Sequence, residues 1–217
     1  LFVINCKNYE EVSGDRIVRF VKTAERVSKK YGVRIAIAPP QHLVGLAAES
    51  RMPILAQHVD DSKAGSTTGF VVPELLKKSG VSGSLINHSE HRTDSKSIRN
   101  LIERLRDLKM TSVLCVRDVP EVRKYVRLDP DYIAIEPPEL IGSGRAVSKE
   151  RPGMITKAAD AVKSAKNKTE LLCGAGIVSG DDGARAVELG SAGILVASGI
   201  VKAKNWARTM SEFAGAM

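Results

Sequence analysis

The sequence predicts a compact (β/α)8 barrel: a closed parallel sheet ringed by helices, some of them shortened. Three observations predict it. Eight short strand-like runs recur, and most are continuously apolar, as strands covered on both faces should be. Amphipathic stripes with helical spacing fill most of the gaps between those runs. Aromatic residues make up only 4% of the chain against 43% hydrophobic residues, so the core has to be built from Ile, Val, Leu and Ala. An open doubly wound sheet also alternates strand and helix and is the competing architecture.

The expected strands are residues 2–6, 34–38, 54–56, 84–86, 112–116, 132–135, 171–173 and 193–196. Their mean spacing of roughly 27 residues leaves room for a strand, a helix and their loops. Ile17, Phe20, Val21, Ala24 and Val27 form the stripe of the first helix. The segments after the second, third and fifth strands are too short for a full helix. Ile98, Leu101, Ile102, Leu105 and Leu108 mark the helix after the fourth strand, with Asp94 or Ser95 as its N-cap. Met154, Ile155, Ala158, Ala159 and Val162 mark the one after the sixth. Ser179, Asp181 and Asp182 suit the start of the seventh helix, which ends before Gly190. No linker interrupts residues 1–217, and the length suits a single barrel domain.

Net charge is +8, which favours small anionic partners. No arginine-rich arm, finger spacing or RNA-binding aromatic motif is present, so nucleic acid is not an expected partner. Cys6, Cys115 and Cys173 are odd in number, far apart and set in apolar strands. That pattern points to free core thiols in a reducing compartment and to a cytoplasmic location. No apolar run reaches the ~18 residues of a membrane span, and residues 1–4 read as strand instead of signal peptide.

Polar groups collect at three strand ends. Asn5-Cys6-Lys7 closes the first strand, Asn87-His88-Ser89-Glu90-His91-Arg92 follows the fourth, and Glu136-Pro137-Pro138 follows the sixth. Barrel enzymes build their sites at that end of the sheet. A carboxylate at Glu136 leaves an apolar strand; partial burial would strengthen it as a base, and the two prolines would stiffen the turn. Gly142-Ser143-Gly144 gives the following segment a flexible far hinge, the makings of a lid. His88 precedes Ser89, whose hydroxyl and amide suit the start of a helical turn; backbone N–H groups there disfavour imidazolium and leave a neutral ring able to polarise a carbonyl. His91 falls on another face.

Lys7 offers a fixed positive charge beside a developing oxyanion, Asn5 shares its side of the strand, and Glu90 is placed to hold Lys7 by a charged hydrogen bond. The competing reading makes Asn5, Lys7 and His88 structural groups at the barrel mouth. His88 and His91 lack the zinc-protease spacing and a third ligand, so no metal is expected. Gly174-Ala175-Gly176 and Ala197-Ser198-Gly199 occupy the last two loops, where barrels bind phosphate through backbone N–H groups. Gly142 adds a third such contact when the lid closes.

These motifs, with Ala56-Gln57, Gly65-Ser66-Thr67-Thr68-Gly69, Ile135-Glu136-Pro137-Pro138-Glu139-Leu140-Ile141-Gly142-Ser143-Gly144, Cys173-Gly174-Ala175-Gly176 and Leu195-Val196-Ala197-Ser198-Gly199, resemble the archaeal branch of the triosephosphate isomerase family over nearly the whole chain. The resemblance implies a cofactor-free interconversion of dihydroxyacetone phosphate and glyceraldehyde 3-phosphate. It implies Glu136 as the base, His88 as the neutral electrophile and Lys7 as the electrostatic clamp, the division of labour known for this family. Asn5, Lys7, Ile141, Gly142, Gly174, Gly176, Ala197 and Ser198 are then the substrate contacts, supported by Ser89, Glu90 and Gln57. Thr68 would reach a neighbouring subunit of a homodimer or homotetramer.

Asn87 and His91 stand where bacterial and eukaryotic members have Gly and Arg. Gly174-Ala175-Gly176 replaces their Gly-Gly-Ser, without its serine hydroxyl, and Ala197-Ser198 replaces their Gly-Gly. A barrel isomerase acting on larger bisphosphorylated sugars, and a non-catalytic barrel, are the alternatives.

Overall fold

A computed structural model describes residues 1–217. Its eight strands are β1 (Phe2–Asn5), β2 (Ile35–Ala38), β3 (Leu55–Ala56), β4 (Gly83–Ile86), β5 (Thr111–Val116), β6 (Tyr132–Ile135), β7 (Glu170–Cys173) and β8 (Gly193–Val196). They pair in parallel in the order β2-β1-β8-β7-β6-β5-β4-β3. The remaining seam, β2 to β3, is joined by a parallel Ile37–Ile54 bridge and by the Ile37 N–H donating to the Pro53 carbonyl at 3.0 Å. The sheet therefore returns on itself, which excludes the open alternative. The seam is thin because β3 is the shortest strand.

Alternation along each strand divides the apolar residues into two cores. Val3, Ala36, Leu55, Leu85, Val113, Ala134, Leu172 and Leu195 point inward and fill the barrel. Phe2, Ile4, Ile35, Ile37, Ile86, Leu114, Ile133, Ile135, Leu171 and Ile194 point outward and meet the helices. Each strand is apolar on both faces because each face has its own core. Fully burying one such Val, Leu or Ile side chain is worth about 1.5–3 kcal/mol.

The helices are α1 (Arg16–Tyr31), α2 (Val44–Ala48), α3 (Pro73–Lys78), α4 (Ser95–Asp107), α5 (Val119–Tyr125), α6 (Val147–Glu150), α7 (Pro152–Ser164), α8 (Gly180–Glu188), α9 (Ser198–Val201) and α10 (Trp206–Ala216). The expected thin segments are α2, α3 and α5, of five, six and seven residues. In α1, Ile17, Phe20, Val21, Ala24 and Val27 are buried as their spacing requires. Asp94, not Ser95, caps α4 by accepting from the Lys96 and Ser97 N–H groups. Ser179 and Asp182 form a reciprocal capping box on α8. Phe213 of α10 stacks on Phe2, and Trp206 meets Phe20 edge-on, so the last helix seals the outside of β1 through α1.

Candidate active site

Strand parity carries the polar tips of β1 and β6 to the axis of the barrel mouth. Val3 points inward, so Asn5 and Lys7 do too; Tyr132 and Ala134 point inward, so Glu136 does as well. On β4 the inward positions are Leu85 and Asn87, which would send His88 outward. Asn87 adopts φ 62°, and this left-handed step re-aims the chain so that His88 enters the pocket. The Asn87 side chain fixes the step at both ends: Nδ2 donates to the Cys115 carbonyl at 2.9 Å, and Oδ1 accepts from the Thr93 N–H at 3.1 Å.

His88 and Glu136 are 6% and 4% exposed, and their Nε2 and Oε2 atoms lie 3.6 Å apart. Neither atom has a hydrogen-bond partner. The Glu90 N–H donates to His88 Nδ1 at 3.2 Å, which makes Nδ1 an acceptor and puts the ring proton on Nε2, facing the pocket. The expected helical turn at Ser89 is a single turn, closed by the His91 N–H on the His88 carbonyl; α4 begins only at Ser95. The tautomer is therefore set by one local N–H rather than by a helix end. His91 turns away and stacks on His58 at 3.7 Å. Burial pulls the His58 imidazole below its usual range, against the hydrogen bond to Asp60, and His91 adds to the shift.

Lys7 extends its ammonium to Glu90, with Nζ 2.6 Å from Oε1. Its own backbone is left-handed, φ 45°, and is held there on both sides. Its N–H donates to Asn5 Oδ1 at 3.0 Å, and its carbonyl accepts from Gln57 Nε2 at 2.9 Å. Gln57 is anchored in turn by Gln41, whose Oε1 accepts the Gln57 N–H. Asn5 is thus buried and already serves the Lys7 turn.

The segment after Glu136 folds over the mouth. A 3-10 turn covers Pro138–Leu140, Leu140 is buried, and Gly142 and Gly144 take φ 70° and 72°. Its far end rests on the seventh loop, where a Cβ on Gly176 would come 1.9 Å from the Arg145 carbonyl oxygen. It then docks on α8: Ser148 donates to the Asp182 carbonyl at 3.0 Å, and Lys149 pairs with the Asp182 carboxylate at 2.7 Å. The space enclosed is about 40 Å³, enough for a few waters and no more.

That pocket gathers Asn5, Lys7, His88, Glu136, Ile141, Gly142, Gly176, Ala197 and Ser198. Gly174 lies outside the lining and packs beneath Glu136. Gln57 and Glu90 face an adjoining cavity of about 640 Å³ that also reaches Lys7 and His88. Ser89 is half-buried, and Thr68 is exposed on the 65–69 segment. Tyr9 and Val178 line the pocket without any expectation from the sequence; each sits in a loop with no periodicity to reveal its direction. All three cysteines are free and buried. Burial drives the Cys115 thiol well above its usual range, and the neighbouring Glu136 carboxylate pushes it further. No group of three or more His, Cys, Asp or Glu side chains is placed to hold a metal ion.

Residues 1–213 match the model of a protein family described as triosephosphate isomerase. A triosephosphate isomerase of Cenarchaeum symbiosum is 57% identical over 217 residues, covering 100% of this chain and 97% of the relative. One from Methanothermus fervidus is 40% identical over 98% of this chain and 96% of its own length. One from Sulfurisphaera tokodaii is 42% identical, covering 98% and 93%.

Proposed function

This chain belongs to the triosephosphate isomerase family, and on that premise we propose that Glu136, His88 and Lys7 carry out the interconversion of dihydroxyacetone phosphate and glyceraldehyde 3-phosphate. The observation that carries the assignment is the pair of unpartnered buried atoms, Glu136 Oε2 and His88 Nε2, 3.6 Å apart under the lid. A buried carboxylate oxygen and a buried ring N–H, both without a partner, are groups waiting for a ligand.

Glu136 takes the proton from C1 of the ketone, and the electron pair moves onto the C2 oxygen to give an enediolate. His88 donates its Nε2 proton toward that oxygen and passes protons between the two oxygens. Glu136 returns its proton to C2 and yields the aldehyde. The Lys7 ammonium offsets the negative charge of the enediolate, and Glu90 keeps it in place. The steps balance with protein groups alone and call for no metal or nucleotide.

The phosphate is held by backbone N–H groups at Gly142, Gly176, Ala197 and Ser198. Ile141 closes over the substrate, and Gly174 makes its contribution by leaving room for Glu136. Asn5, Ser89 and Gln57 support Lys7 and His88. Because only about 40 Å³ is free, residues 137–144 open to admit substrate and close to exclude water.

The same reading takes residues 1–217 as one domain working in the cytoplasm, and no helix is long and apolar enough to cross a membrane. It also makes the protein a homodimer or homotetramer. The 640 Å³ cavity beside Lys7 would receive the 65–69 segment of a second copy, Thr68 foremost. Phe70, 55% exposed, and Leu75, 49% exposed, flank that segment and supply apolar surface for such a contact.

A coupled assay with glyceraldehyde 3-phosphate, in chelator and without nucleotide, tests the reading. Turnover is the expected result. Absence of turnover by folded protein overturns it.

A further inference from the structure

A separate, solvent-open cavity of about 990 Å³ lies on the outer flank of the barrel between α1 and the 202–207 segment that leads into α10. It shares no lining residue with the catalytic pocket. Six cations line it: Arg16, Arg19, Lys22 and Arg26 from α1, and Lys202 and Lys204 from the opposite wall. None of the six has a carboxylate within ion-pair distance, although the protein makes ion pairs over much of the rest of its surface. The cavity holds two carboxylates, and Glu25 is already bonded to Lys29 at 2.9 Å.

The α1 cations follow one another at spacings of three, three and four residues, so they stand as neighbours along one helix face. Like charges at those spacings repel and weaken a helix. Ten residues of helix separate Arg16 from Arg26, which makes a cationic stripe about 15 Å long. A single phosphate group would meet only part of that stripe. The volume is at the upper end of small-molecule sites, far beyond what a triose phosphate fills.

We propose that this cavity binds a small molecule carrying several phosphate groups, at a site separate from the catalytic pocket. A single-stranded nucleic acid is the weaker match, because such strands stack their bases on free aromatic faces. The Trp206 ring is occupied by the Phe20 edge at 4.9 Å and by the Arg16 guanidinium at 5.9 Å, and its N–H is bonded to the Val201 carbonyl. The Tyr9 ring is covered by Lys202 at 4.6 Å.

Trp206 lines the cavity and is the only tryptophan of the chain, so its fluorescence reports on this site directly. Titration of the full chain with sodium tripolyphosphate at low ionic strength is expected to give a saturable change in emission. Added salt weakens that binding, as screening of exposed charges requires. Arg19→Glu/Lys22→Glu is expected to weaken it at least ~10-fold, and Lys204→Glu on the facing wall weakens it independently, while kcat/KM for glyceraldehyde 3-phosphate stays unchanged in both. Four results would overturn the proposal: no saturable change, equal binding by the variants, equal affinity for orthophosphate, or loss of the signal when glycerol 3-phosphate saturates the catalytic pocket. Tighter binding of a single-stranded oligonucleotide than of tripolyphosphate would also overturn it and make this flank a nucleic-acid surface.

Discussion

Gly174 lies so close beneath Glu136 that a methyl group on it would stand 2.6 Å from the Glu136 Cγ. The seventh loop therefore carries glycine here to leave room for the Glu136 side chain. Gly174→Ala is expected to displace the carboxylate by a fraction of an ångström or more and to lower kcat by roughly 10- to 100-fold, since small misplacements of reacting groups are expensive. Circular dichroism should stay native. Wild-type kcat in the alanine variant would mean that Glu136 has slack the geometry does not suggest.

Glu136→Asp shortens the same side chain by about 1 Å without changing its chemistry. A loss of turnover of at least ~100-fold is expected, with the fold intact. Steady-state kinetics decide the matter, and unchanged turnover would remove Glu136 from the role of base.

Lys7→Ala removes the only ammonium in the pocket and leaves Glu90 without its 2.6 Å partner. Binding and chemistry should both suffer, with KM raised and kcat lowered, and kcat/KM reduced by about 10²-fold or more. A variant with ordinary kinetic constants would rule out the clamp.

Asn87→Ala forces a β-carbon without a compensating polar group into the left-handed region and deletes two hydrogen bonds, one buried and one partly buried. A stability loss of about 2–4 kcal/mol is expected from those two effects together. Asn87→Gly keeps the backbone step free of strain and should lose less. Urea unfolding distinguishes them, and equal stability of the alanine variant and wild type would contradict the account of how His88 is aimed.

The Asp182 side chain is 1% exposed. Burial pushes its carboxyl up, yet the Lys149 ammonium, the Val178 N–H and Ser179 together hold it below its ordinary value of about 3.8. A depressed carboxyl stabilises the fold fully above that ordinary value and loses the contribution as pH falls through the folded one. The gap in Tm between wild type and Asp182→Asn should therefore be widest at neutral pH and shrink from about pH 5 towards pH 2. A gap independent of pH would mean that the Lys149–Asp182 ion pair adds no stability.

Much of this architecture is legible along the chain because period and chemistry agree. The α1 stripe, the capping residues of α8 and the short segments after β2, β3 and β5 all follow from local pattern. The positions of the polar tips are legible too, since each stands directly after an apolar run. The cap of α4 was open between two adjacent residues because Asp and Ser both accept an N–H hydrogen bond. Tyr9, Val178 and the Gln41–Gln57 anchor were hidden because loop residues have no periodicity, and a glutamine that supports another glutamine leaves no mark in either.

Local pattern along the chain sets the strands, the longer helices α1, α4, α7 and α8, and which residue types stand at the strand ends, because burial on both faces and helical spacing are properties of neighbours along the chain. It also carried the motifs that place the protein in its family. Closure of the β2–β3 seam, the left-handed turn at Asn87 that brings His88 inward, the tautomer set by the Glu90 N–H, and the fit of Gly174 under Glu136 were decided only in three dimensions. Each depends on atoms from segments that meet only once the sheet has curled round, or on a backbone angle that no side-chain pattern encodes. The gathering of six unpaired cations on the outer flank belongs with them, because α1 and the 202–207 segment lie some 180 residues apart and come together only when the barrel closes.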